Sequence, residues 1–271
     1  MILVYRNISP AAPYLQFDPV FASLLEDGRQ ELAVLRDRVV LALADSDYNA
    51  RELLGLGYRD VRVSSLIFDP GARQTMVPDS AASRRLAGLG GPTLLFVGQL
   101  LPHKRPDLLL KAFHILTTYL VPDARLLLVG HSRQVPAYRK ALEQYRAELN
   151  LTWALMEGSM TDSQLVAYYR RADVFVTASE HEGFCVPLLE AMAFQVPIVA
   201  RAFAAIPETL GDAGLLLPSD DDPTLMAGAL AEVIQNADLR RDLIARGTRR
   251  LESLDADLAR TTILEHILSV A

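Results

Sequence analysis

The chain is short of the residues that staple a fold or hold a metal. It has one cysteine, Cys185, which excludes an internal disulfide and a thiolate zinc cluster. Its five histidines show no metal-ligand spacing. There is no excess of positive charge either, because 27 Lys and Arg face 33 Asp and Glu for a formal net charge of -6. That balance argues against a dedicated nucleic-acid binder, which concentrates basic side chains against phosphate. The stretch from Arg240 to Arg250 comes nearest, but Asp238, Asp242 and Glu252 interleave it, so it reads as a solvated helix surface. No run approaches the ~20 apolar residues that a spanning helix needs. The opening Met1-Ile2-Leu3-Val4-Tyr5 meets Arg6 too soon for a secretory core. The expected location is cytoplasmic, with peripheral contact at a membrane left open.

What is present is a large apolar inventory in a regular rhythm. At 271 residues and 51% hydrophobic, the chain suffices for two domains or one large α/β domain. Short β-branched or leucine-rich runs alternate with amphipathic stretches, the pattern of parallel strands joined by crossover helices. Strands are expected at Thr93–Val97, Arg125–Val129, Thr152–Met156, Val174–Thr177, Val196–Ala200 and Gly214–Leu217. Their unbroken apolar character implies burial on both faces, as in a Rossmann-like, doubly wound α/β sheet. Helices are expected near 106–121, 136–149, 162–171, 187–194, 222–236, 238–252 and 257–270, with Thr161 and Gln164 as a capping box. Upstream, a strand at the very start, a helix near 19–37, strands at Val39–Ala44 and Val61–Leu66 and a helix near 46–54 form a smaller α/β unit. The stretch 69–92, with Pro70, Gly71, Pro78, Gly88, Gly90, Gly91 and Pro92, reads as a linker. The expected division is 1–88 and 89–271, with the last helix packing back on the first unit.

Three strand ends carry polar chemistry. After Thr177 come Glu182 and Gly183 in a loop and Glu190 about one turn into the helix that follows, with Pro187 suited to that helix's first turn. A helix opening past a parallel strand offers unpaired N–H groups to an anion. Each ionised carboxylate accepts two O–H bonds, so one suits a sugar diol and the other a ribose diol. After Val97 come Gly98, Gln99 and Lys104, the lysine a point charge for a diphosphate. After Met156 come Glu157, Gly158 and Ser159, placed to meet a nucleobase. Taken singly, each has a plainer account as a dipole-favoured glutamate, a solvent lysine or a turn.

In order, Gly98…Lys104, Gly130, Gly158 and Glu182-Gly-Phe…Glu190-Ala-Met-Ala resemble the family 4, or group 1, retaining glycosyltransferases of the GT-B fold. The likeness covers most of residues 93–218, and Asp45-Ser46…Asn49 extends it weakly upstream. The resemblance implies that the chain moves a sugar from a nucleoside-diphosphate sugar to an acceptor (saccharide, lipid-linked or small molecule) with retention and no cofactor. Lys104 would stabilise the departing diphosphate and Glu182 would hold the donor sugar. Glu190 would hold the ribose, and Phe184, Cys185 and Val186 would offer backbone N–H groups. Gly98, Gln99, Met156–Ser159, Leu165 and Gly183 would complete the donor contacts.

Two departures from that pattern shape the expectations. Gln99 stands where the family places an arginine, so charge on the leaving group rests on Lys104, with Arg105 as partial compensation. Residues 1–92 contain no histidine, and no paired-glycine loop follows the first strand. The first lobe is therefore expected to be incomplete, the chain being a fragment, a partner-dependent subunit or a non-catalytic nucleotide-sugar-binding module. His181 is expected in an exposed loop, Trp153 in the core and Cys185 as a small packing residue.

Overall fold

The computed structural model describes residues 1–270, which form two parallel sheets with helices between their strands. The first runs β1 (Ile2–Tyr5), α1 (Pro19–Leu35), β2 (Leu41–Ala44), α2 (Asp47–Gly55) and β3 (Val61–Val63), in the order β1-β2-β3. Asp18 caps α1 by accepting from the Phe21 N–H, and Ser46 caps α2 by accepting from the Asn49 N–H. Leu41–Ala44 is wholly buried, as a central parallel strand requires. Residues 64–66, expected to extend β3, lie outside the strand.

The proline- and glycine-dense stretch expected as a linker instead holds two short helices, α3 (Pro70–Gln74) and α4 (Ser80–Ala87). Asp69 and Asp79 accept hydrogen bonds from the first turn of each helix, and Pro70 sits where its missing N–H costs nothing. Helix breakers here mark starts rather than an absence of helix.

The second sheet follows as β4 (Thr93–Val97), α5 (Pro106–Ile115), β5 (Arg125–Val129), α6 (Pro136–Glu148), β6 (Ala154–Glu157), α7 (Asp162–Arg171), β7 (Val174–Thr177), α8 (Val186–Ala193), β8 (Ile198–Arg201), α9 (Ile206–Leu210) and β9 (Leu215–Leu217). Helices α10 (Pro223–Gln235), α11 (Ala237–Glu252) and α12 (Ala256–Leu268) close the described chain. Strand order β6-β5-β4-β7-β8-β9 is that of a doubly wound dinucleotide-binding sheet, with its topological switch between β4 and β7. The sheet's two faces bury separate apolar clusters, one under α5, α6 and α10 and the other under α7 and α8. Helix α5 ends in a π-helical turn at Leu116–Leu120, where the Thr117 and Thr118 hydroxyls donate back to the Phe113 and His114 carbonyls.

The first unit does not stop at its own sheet. Tyr14, 1% exposed, Phe17, Phe21 and Ala22 leave it to join the apolar cluster of the second sheet. At the other end, α12 returns to β3: Arg62 donates to the Ser269 hydroxyl at 2.8 Å, and Ser64 meets His266 at 3.1 Å. Trp153, expected in the core, is 47% exposed and lies outside β6, with the Arg125 guanidinium 3.9 Å over its ring. No helix among the described residues is long and apolar enough to cross a membrane.

Candidate functional site

The loops after β4 and β7 meet at the switch point, where a parallel sheet opens a crevice at its carboxyl edge. Each ends in a left-handed residue that leads directly into a helix. Arg105 (φ 51°) precedes Pro106 of α5, and Cys185 (φ 68°) precedes Val186 of α8. Non-glycine residues in that region are strained and persist only where surroundings impose them. The imposed turn brings Lys104 Nζ to 2.6 Å from Glu182 Oε2, an ion pair with both side chains mostly buried. The two loops are tied a second time, by the Glu180 N–H donating to the His103 carbonyl at 2.8 Å. Gly130 crosses the same edge, where a Cβ would collide with the Gly98 carbonyl. At the start of α8 Pro187 has no N–H and the Leu188 N–H already donates to the Cys185 carbonyl at 3.0 Å, so Val186 carries the first-turn N–H left for a ligand.

Behind the loop, Glu180 is gripped by Arg105 and lies 3.7 Å from the fully buried Arg201, and both arginines also hold Asp221. Arg105 is thus spent on Asp107, Glu180 and Asp221 and does not compensate for Gln99, which is exposed. In front, the first unit closes over the loop. A Cβ on Gly183 would come within 3.0 Å of the Arg6 carbonyl, Asn7 and Asn49, so this glycine serves the approach of the chain to itself. A polar chain runs on from there. Asp45 accepts from Asn49 at 2.5 Å, Asn7 Nδ2 donates to Asn49 at 3.0 Å, and Asn7 Oδ1 bonds His181. Glu208 caps α2 from across the junction, accepting from the Asp47 and Tyr48 N–H groups at 2.7 and 3.2 Å.

His181 is therefore not an exposed loop histidine. It is 7% exposed, bonded to Asn7 and 3.4 Å from the Tyr48 hydroxyl. Burial, then the charge of Arg29, lowers its pKa below the usual imidazole value. His103, with Nδ1 2.5 Å from the Tyr14 hydroxyl, is lowered further, by burial first and then by Lys104 and His181. The Cys185 thiol is raised well above its usual range by burial, which suits its role as a packing residue.

Glu190, 6% exposed, lies on the buried side of α8. Both its oxygens are engaged. Oε1 pairs with Arg73 of α3, and Oε2 accepts from the Tyr169 hydroxyl at 2.7 Å. Arg73 also reaches Asp162 at 2.9 Å, and so bridges Glu190 to the first residue of α7. The Tyr169 hydroxyl is pushed far up by its complete burial, then by Glu190, and stays a donor.

At the third strand end, Glu157 pairs with Arg85 of α4 at 2.7 Å, while Gly158 and Ser159 are exposed. The Met156 carbonyl is already taken by Arg139 at 3.1 Å, and the Leu165 side chain packs against the core. Phe184 and Cys185 likewise bury their side chains, and Val186 packs beside them, leaving only their backbones for a ligand. Among the described residues, no group of three or more His, Cys, Asp or Glu is placed to hold a metal ion.

The structure thus brings Gly98, Lys104, Glu182, Gly183 and the start of α8 together. It sets Met156–Ser159 at the neighbouring edge and Glu190 beneath α3. The sequence reading missed Asn7, Tyr48, Arg73, Tyr169 and Glu208. Asn7 stands out only in the backbone, which is left-handed there (φ 90°), and the sequence gives no local mark of it. Arg73 has none, being 117 residues from its partner.

Comparison with known proteins agrees with this geometry. The family model described as "Glycosyl transferases group 1" matches residues 83–250. A D-inositol 3-phosphate glycosyltransferase of Kineococcus radiotolerans is 32% identical over 247 residues, 83% of this chain and 55% of that protein. An Escherichia coli O-antigen chain mannosyltransferase B is 31% identical over 165 residues, 56% of this chain and 39% of that one. The chain spans about half the length of the curated relatives it matches. Among solved structures, Anabaena HepE with UDP and glucose superposes with a TM-score of 0.80 at 20% identity, over 98% of this chain and 71% of that one. Sucrose-phosphate synthase of Thermosynechococcus elongatus superposes with a TM-score of 0.78 at 21% identity, over 100% of this chain and 68% of that one. The doubly wound sheet, the Lys104–Glu182 pair at its switch point and these matches place the chain in the group 1 glycosyl transferases, with the GT-B lobe architecture.

Proposed function

We propose that the chain transfers a sugar from a nucleoside-diphosphate sugar to an acceptor hydroxyl, with retention at the anomeric carbon. The observation that carries this reading is the Lys104–Glu182 pair at 2.6 Å, set at the mouth of α8. When a donor enters, Glu182 exchanges its lysine for sugar hydroxyls, and Lys104 turns to the diphosphate. The Val186 N–H and the positive dipole at the start of α8 favour the same anion. The bond from the anomeric carbon to phosphate then breaks with its electron pair on the diphosphate. The acceptor oxygen bonds from the same face, and its proton passes to the leaving phosphate. Charge builds on the diphosphate in that transition state, so Lys104 supplies the largest electrostatic contribution. Glu190 takes the ribose hydroxyls once Arg73 has withdrawn. Retention follows the family resemblance, and the reading calls for no cofactor beyond the donor.

A second reading, a nucleotide-sugar-binding module or subunit, is favoured by one observation. Gln99 brings no charge to the diphosphate, and Arg105 is held elsewhere by three carboxylates. Nucleotide release from UDP- and GDP-sugars, measured beside calorimetric binding of the same compounds, separates the two. Binding with turnover, both reduced sharply in Glu182→Ala, supports the enzyme. Binding without turnover supports the module. A Glu182→Ala variant with unchanged binding and turnover defeats the site assignment in either form.

A further inference from the structure

We infer that the nucleobase of the donor is guanine, read by the side chains of Glu157 and Arg85. This deepens the nucleotide-sugar reading above and rests on it.

The position comes from Arg73. One guanidinium spans Glu190 and Asp162, so the carboxylate proposed for the ribose lies within a single side-chain head of α7's first residue. A nucleoside anchored at Glu190 therefore lays its base on the turn between β6 and α7. Beside that turn is a cavity of about 320 Å³, lined among others by Asp79, Arg85, Glu157, Ser159, Gln164 and Tyr168. That volume is ample for one planar base.

Inside the cavity the polar groups are already ordered. Arg85 Nη1 donates to Glu157 Oε1 at 2.7 Å, and its other Nη donates to the Tyr168 hydroxyl. The guanidinium carbon stands 5.6 Å from the centre of the Tyr168 ring. Glu157 is held at the end of β6 with its side chain 22% exposed, and Arg85 is 48% exposed, so both remain open to a ligand.

Donor and acceptor patterns then choose the base. The Watson–Crick edge of guanine presents two parallel N–H donors, N1 and N2, next to the O6 acceptor. A carboxylate takes both donors at once and an adjacent guanidinium covers O6. Uracil flanks its one N–H with two carbonyl oxygens, so a carboxylate there gains one bond and faces a lone pair. Adenine and cytosine each set an amino donor beside a ring-nitrogen acceptor and likewise fill only half of Glu157. An isolated surface ion pair between a helix and a strand end would have the same geometry and no preference among bases. The solved neighbour that holds UDP is 20% identical, a level that carries the fold and not the residues at a base edge.

Calorimetric titration of the full chain with GDP and with UDP tests the inference, since the two share ribose and diphosphate and differ only in base. GDP is expected to bind about 10- to 100-fold more tightly, the range for one good bidentate base contact. Glu157→Gln, which keeps the shape and offers one acceptor and one donor group, is expected to weaken GDP about tenfold and to leave UDP unchanged or improved. An unchanged circular dichroism spectrum and melting temperature would show that this variant is folded. Equal or tighter binding of UDP by the unaltered chain overturns the base assignment and leaves the donor reading standing. A GDP preference that survives Glu157→Gln overturns the role of that side chain. Binding of UDP, ADP or CDP in place of GDP overturns the base alone, and binding of none of the four removes the donor reading and this inference together.

Discussion

The two glutamates of the Glu182…Glu190 segment lie eight positions apart, and each meets a cation, but the cations come from different places. Lys104, partner of Glu182, belongs to the same sheet and sits on the facing loop of the switch point. Arg73, partner of Glu190, arrives from α3, a five-residue helix between the two sheets. The Glu182 end is fixed from behind by Arg105 and Arg201 and from in front by Asn7 and Asn49. The Glu190 end has rigid support on one side only, the buried Tyr169 stacked between Phe175 and Phe194. On the proposed reading, the pair within one scaffold is pre-organised for chemistry, whereas the pair with a connecting segment holds a place that a ligand would take over.

That contrast is open to direct attack. The largest effect is expected from Lys104→Ala, which on the proposed mechanism removes the cation that meets the leaving group. Its kcat for the sugar nucleotide should fall by about 10²- to 10³-fold, as when an oxyanion-stabilising donor is deleted. A change confined to KM would show that Lys104 only binds, and the distinction between the two ends would narrow. Arg73→Ala should act in the opposite direction. With Glu190 no longer held by a competitor, nucleotide affinity by calorimetry is expected to rise about tenfold, because every molecule then has a competent site. A loss of affinity would make Arg73 part of the ligand site and collapse the comparison.

The smallest effect sharpens it through pH. His103 and His181 flank the Glu182 end, and burial lowers both below the usual imidazole value. The unfolded chain therefore binds more protons than the folded one as pH falls below about 6.5. Their contribution to stability is fully present above that pH and is lost on acidification toward the depressed folded values. A fully displaced histidine gives a slope of about 1.4 kcal/mol per pH unit. The melting temperature should fall between pH 7 and pH 5, and His103→Asn should flatten that fall. An identical profile in the variant would place the acid sensitivity elsewhere.

Legibility in the sequence followed the range of the forces involved. Thr93–Val97, Arg125–Val129 and Val174–Thr177 were readable to the residue, because continuous apolar runs stop at a glycine or a polar loop. The placement of Lys104, Glu182 and the start of α8 past neighbouring strand ends was readable, because there the fold rule and the resemblance agree. The helices in 70–87 were not, since proline and glycine signal interruption without saying whether a capped helix follows. Trp153 misled because hydropathy does not register a guanidinium stacked on its ring. His181 misled because Asn7, which buries and bonds it, is 174 residues away and shares no period with it. Arg73 was invisible for the same reason.

The hold of Arg73 on Glu190 also bears on how the protein survives without substrate. A carboxylate 6% exposed and left without a counter-ion is among the costliest things a folded chain can contain. Arg73 supplies that counter-ion, so the fold need not lean on ligand to balance Glu190. The same residue sets how far ligand can raise the melting temperature, because part of what binding would stabilise is stabilised already. Resting stability and ligand-induced stability are therefore drawn here from one carboxylate and change in opposite directions when Arg73 is altered.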